Sequence, residues 1–96
     1  MANNLFVSYD LYEPGKDYGA VGTAIKELGA WAKVQKSFWY VKSSFTARQA
    51  AEYVRRSMDP NDSLIVVDAA SNDAYWYNLS PEVAQFLQEK WQSQAA

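Results

Sequence analysis

Apolar and polar positions along the chain switch between a period of two and a period near 3.6, and each switch marks a change of element. Residues 5 to 10, Leu5-Phe6-Val7-Ser8-Tyr9-Asp10, read as a first strand with Leu5, Val7 and Tyr9 on one face and Phe6, Ser8 and Asp10 on the other. Apolar side chains on both faces predict a central strand. Pro14-Gly15 breaks it, and Asp17 is placed to cap a helix reaching Gly29, with Val21, Ala24, Ile25 and Leu28 at helical spacing. Gly29 is the expected stop, while Gly19 and Gly22 weaken the first turns.

Alternation fails between Trp31 and Ser43. For Trp39 and Val41 to face the same helices as Val34, an extra residue must be absorbed near Lys36-Ser37, so two short strands are predicted, about 31 to 36 and 38 to 43. Thr46-Ala47-Arg48-Gln49 is a capping-box pattern and opens a second helix. Its buried stripe is Ala47, Ala50, Ala51, Val54 and Met58, leaving Arg48, Glu52, Arg55 and Arg56 outward or at the margin. Asp59-Pro60-Asn61-Asp62 ends that helix in a turn.

Ser63 to Val67 carries the run Leu64-Ile65-Val66-Val67, the pattern of a strand covered on both faces, and Asp68 closes it as Asp10 closes the first. A loop through Ser71-Asn72-Asp73 leads to a short strand over Ala74-Tyr75-Trp76-Tyr77-Asn78, whose three consecutive aromatics cannot all point inward. Ser80-Pro81-Glu82 then starts a last helix with Val83, Phe86, Leu87 and Trp91 on its apolar face. The predicted class is α+β. Its order is the ferredoxin-like βαββαβ one, an antiparallel sheet with two helices on one face, plus a short extra strand and a C-terminal helix.

Composition narrows what this domain does. Its 96 residues suit one domain spanning 1 to 96, and 49% hydrophobic with 16% aromatic content predicts a packed core. The absence of cysteine and histidine removes disulfides, thiol nucleophiles and the usual zinc sites, and gives a serine no imidazole to activate it. Gly15, Gly19 and Gly22 lack the spacing of a phosphate-binding loop, so no organic cofactor is expected. No apolar run is long enough for a membrane span, and Met1-Ala2-Asn3-Asn4 has no signal-peptide character, so a cytoplasmic protein without a membrane partner is expected.

Charge is small overall, −2, but segregated. Residues 33 to 56 carry Lys33, Lys36, Lys42, Arg48, Arg55 and Arg56 against Glu52 alone, whereas residues 57 to 96 carry six acids against Lys90. Lys33, Lys36, Arg48, Arg55 and Arg56 are therefore the candidate nucleic-acid contacts, if they converge. The bland alternative is a set of solvated faces. Two helices cover one face of the predicted sheet, so Phe6, Phe38, Tyr40 and the aromatics Tyr75, Trp76 and Tyr77 are candidates for a homodimer interface; the terminal helix folding over its own sheet is the alternative.

Val7-Ser8-Tyr9-Asp10-Leu11, Gly29 and Ala32-Lys33-Val34-Gln35-Lys36-Ser37-Phe38-Trp39 resemble the small adaptation subunit of CRISPR systems. Over residues 4 to 70 the chain is closer still to the SinR-like proteins, small bacterial relatives of that subunit and of virulence-associated protein D. The resemblance implies that Asp10 sits opposite its counterpart across a dimer axis, binds a divalent metal such as Mg²⁺ and acts as the catalytic residue of a metal-dependent ribonuclease or deoxyribonuclease. Two facing carboxylates favour a cation between them. The family also places arginines just after the first strand, where this chain has Glu13, Lys16 and Asp17. That departure favours a second reading, a non-catalytic homodimeric interaction module in which Asp10 accepts hydrogen bonds from the loop that follows it.

Overall fold

The computed structural model describes residues 3–12, 19–69 and 73–92. Eight elements run in the order β1 (Asn3–Asp10), α1 (Gly19–Lys26), β2 (Gly29–Gln35), β3 (Phe38–Ser43), α2 (Ala47–Arg55), β4 (Ser63–Asp68), β5 (Asp73–Tyr77) and α3 (Pro81–Gln92). The strands form one antiparallel sheet in the order β2-β3-β1-β4-β5, which with three helices makes the α+β class expected from the sequence. β1 lies at the centre, hydrogen-bonded to β3 on one side and β4 on the other. The Pro14-Gly15 break, the Asp17 cap and Ser71-Asn72 lie outside the described residues, as do the side chains of Leu87 and Trp91.

Register fixes the two faces, because residues directly opposite on a ladder share a side. Val7 faces Trp39 and Val66, and Leu5 faces Val41, so all five point to the covered side, and Tyr9 opposite Leu64 continues it. Val21 and Ile25 of α1 and Ala47, Ala50, Ala51 and Val54 of α2 close over them in a single core. The alanines are fully buried, and their small side chains let α2 lie close to β4 and β5. Thr46 Oγ1 accepts from the Gln49 amide at 3.1 Å while the Gln49 side chain accepts from the Thr46 amide at 2.9 Å, the reciprocal cap predicted from the sequence.

Two local expectations are corrected. Gly29 does not stop α1; it opens β2, opposite Ser43, where a Cβ would collide with the Lys42 carbonyl oxygen. The extra residue of the β2–β3 hairpin is absorbed between Lys33 and Gln35, slightly before the tight Lys36-Ser37 turn, and leaves Val34 exposed rather than core-facing. Trp31 and Lys33, opposite Val41 and Trp39, take the helix-side positions instead.

The far side of the sheet carries Phe6, Phe38, Tyr40, Ile65, Val67 and Trp76, all only partly buried. The Phe6 and Phe38 rings stack at 5.5 Å between centroids and Tyr40 leans on Phe6 at 5.6 Å. Leu64-Ile65-Val66-Val67 is thus apolar on both sides although the described helices α1 and α2 cover one. Val83 and Phe86 of α3 are 49% and 60% exposed, while Gln88 of the same helix lines a cavity with Trp76 and the buried Ala74, so α3 borders this face at its β5 end. No helix among the described residues is long and apolar enough to cross a membrane.

Candidate functional site

Asp10 ends β1 opposite Ser63 and is exposed. Its position in the alternation puts it on the same side as Phe6 and Ser8, at one rim of the open face. The β2–β3 turn reaches the same rim, since the Tyr9 amide donates to the Ser37 carbonyl at 3.1 Å. Among the described residues no group of three or more carboxylates assembles there. The nearby acid Asp62 is buried and committed: its carboxylate accepts from the Tyr12 amide at 2.6 Å and from the Asp59 amide at 2.8 Å. Asp62 thereby anchors the described start of the loop after β1. Among the described residues Asp10 is the exposed carboxylate at this rim, and one carboxylate supplies only part of the oxygen ligand set that Mg²⁺ takes.

Two charges mark opposite ends of the open face. Asp10 stands at the end where β1 finishes, and Lys42, opposite Asn4 and Ala30, stands at the other. Between them the face holds aromatic and aliphatic side chains with Ser8 and the Tyr40 hydroxyl, which donates to the Asn4 side chain at 2.6 Å.

The five basic candidates do not form one patch. Lys33 and Lys36 belong to the β2–β3 hairpin at one edge of the sheet. Arg48 and Arg55 lie on α2 over the Tyr75 and Tyr77 rings at 5.6 and 4.6 Å, at the β5 edge. Four inter-strand steps of about 4.8 Å separate these edges. Arg48 is also paired with Glu52 at 3.1 Å, which raises its pKa further, and Arg56 lies over Tyr53 beside the α1–α2 groove.

The aromatic triplet divides as alternation demands. Trp76, opposite Ile65, shares the far side of the sheet with Phe6, Phe38 and Tyr40 and lines a cavity there with Gln88 of α3. Tyr75 and Tyr77, opposite Val66 and Leu64, belong to the helix side, where burial foremost raises the Tyr77 phenol pKa. Those two are corrected from open-face residues to supports for α2.

Sequence reasoning passed over a second cluster at the β2 edge. Trp31 and Trp39 meet at 5.5 Å with their planes inclined at 55°, Lys26 of α1 places its ammonium 4.8 Å from the Trp31 ring centre, and Lys33 lies 5.5 Å from that of Trp39. Gly19, Gly22 and Lys26, three and four apart on α1, line the groove above them. That spacing is the signal that was available.

Comparisons with protein-family models, with curated proteins and with solved structures returned no match.

Proposed function

We propose that the chain acts as a homodimeric interaction module of ferredoxin-like topology, two copies meeting through the open sheet face. The observation that carries this reading is the double-sided apolar pattern of the central strands. Leu64-Ile65-Val66-Val67 and Leu5-Phe6-Val7 are written for a sheet covered on both sides. Helices α1 and α2 cover one side, and Phe6, Phe38, Tyr40, Ile65, Val67 and Trp76 form an apolar plate on the other, bordered at its β5 end by Gln88 of α3, which lines a cavity with Ala74 and Trp76. A second copy matches such a plate with itself around a two-fold axis. The order β2-β3-β1-β4 supports the ferredoxin-like assignment, with β5 and α3 as additions. The absence of cysteine accords with a cytoplasmic setting.

The charged rims distinguish two ways of stacking. A two-fold axis lying across the strands sets Asp10 of one copy against Lys42 of the other, an attractive pairing that needs no ion. An axis along the strands brings the two Asp10 residues to one rim, which favours a bound cation and supports the second reading, a metal-dependent nuclease of the kind the SinR-like resemblance implies. Electrostatics favours the first arrangement.

Because the chain has no cysteine, single thiols report the arrangement cleanly. With a short bismaleimide, a mixture of Asp10→Cys and Lys42→Cys chains is expected to give crosslinked dimer while Asp10→Cys alone gives little. Efficient crosslinking of Asp10→Cys alone supports the metal reading instead. Monomer throughout, with both variants folded, overturns the shared interface.

A further inference from the structure

We infer that the groove between α1 and the edge strand β2 binds a nucleotide unit, its base stacked on Trp31 and its phosphate held by Lys26 and Lys33. The groove has a volume of about 460 Å³, within the range of small-molecule sites. It opens on the helix side of the sheet, away from the apolar plate, so one copy of the chain carries all of it and the inference goes beyond the dimer reading.

The lining selects the ligand. Trp39 is buried and braced by its indole N–H, which donates to the Tyr9 hydroxyl at 3.3 Å. Trp31 rests against it yet stays 47% exposed, which leaves an indole face open at the mouth. Such a face stacks on any nucleobase. Lys26 and Lys33 put two cations beside the rings, and the described lining residues include no carboxylate. A cationic guest is repelled, and a neutral apolar one leaves the ammonium groups unpaired. A flat ring carrying negative charge satisfies both features, with the Thr23 hydroxyl on the groove wall to meet a base edge. Stacking by a base replaces the weaker exposed contact that the Lys26 ammonium now makes with Trp31, freeing that cation for phosphate.

The wall of the groove carries the same message. Gly19 and Gly22 stand in a helix of eight residues, where glycine is the poorest former after proline. Packing does not demand the second of them: a Cβ at Gly22 would sit 3.8 Å from the Trp39 ring, an ordinary contact. The missing side chains keep open the space above the indoles.

The test is fluorescence anisotropy of labelled oligothymidylate and oligouridylate with the full chain at low salt, competed by AMP, UMP and ribose 5-phosphate. Saturable binding that weakens with salt is expected, and Trp31→Ala should lower affinity about tenfold or more. Lys26→Ala with Lys33→Ala should weaken binding and flatten its salt dependence. Gly22→Leu, filling the groove, should do the same as Trp31→Ala while circular dichroism stays native. Competition by AMP as strong as by oligonucleotide assigns the site to free nucleotides, and stronger oligonucleotide binding assigns it to single strands. Binding that survives Trp31→Ala and Gly22→Leu, ribose 5-phosphate competing as well as AMP, or no binding to any probe overturns the inference. Phe38→Lys, which breaks the apolar plate, should leave it intact.

Discussion

Gly22 and Gly29 show how differently one residue type is used. At Gly22 a methyl group meets only the edge of Trp39 at 3.8 Å, so Gly22→Ala should stabilise the fold by up to about 1 kcal/mol through helix propensity. At Gly29 the same methyl runs into the Lys42 carbonyl oxygen, and Gly29→Ala should cost at least about 1 kcal/mol. Urea titrations of the two variants should move in opposite directions. Tyr53 supplies a pH-dependent contact, its hydroxyl donating to Glu27 and tying α2 to the turn after α1. That bond holds the phenol pKa above its ordinary value of 10.0, so the folded state keeps the proton more tightly than the unfolded chain. Its contribution is complete below the unfolded value and is lost as pH rises through the folded one. Tyr53→Phe should therefore flatten the alkaline fall in thermal stability. The sequence already pointed to Asp10 as a rim residue, and it is one. It could not point to Asp62 as the buried anchor, because Asp62 differs from Asp59 in surroundings rather than in chemistry.

At the scale of elements, the strongest local signals were also the most legible. The Thr46–Gln49 box marks the start of α2 because its two hydrogen bonds are made within four residues of chain. Thr46→Ala should lower stability by about 1 kcal/mol without altering the fold, which a chemical melt with far-UV dichroism would check. Ser80 likewise caps α3, its hydroxyl accepting from the Val83 amide at 3.3 Å. The β2–β3 hairpin was harder to read. Its bulge lies between Lys33 and Gln35 because β3 sets the register, and pairing with a neighbouring strand leaves no trace in a segment's own alternation. The same dependence hid the Trp31 groove, since Lys26 comes from α1 and Trp31 and Lys33 from β2, and only packing joins them. The split of Tyr75 and Tyr77 from Trp76 was implicit in a period of two, but which parity faced the helices waited on the β4–β5 ladder.

Across the whole molecule, the sheet separates two surfaces of opposite character. One side is sealed by α1 and α2 over Leu5, Val7, Val41, Leu64 and Val66, and bears the lysine-flanked indoles at its β2 edge. The other is an apolar plate with Asp10 and Lys42 at its two ends. The basic residues that looked like one patch in the sequence are distributed to the β2 edge, the β5 edge and the α1–α2 groove, because the β2–β3 hairpin lies toward one edge of the sheet and α2 packs over β4 and β5 toward the other. The structure thus holds a compact groove on one side and an apolar plate on the other in place of one continuous basic face. Replacing Phe38 by lysine should put a charge into the centre of the plate and separate the copies, whereas Val34→Lys, on the exposed bulge, should not. The central claim is the association itself, and sedimentation equilibrium of the unmodified chain at micromolar concentration tests it most directly. A mass of twice 10.9 kDa is predicted, and a single-chain mass of 10.9 kDa across that range would contradict it.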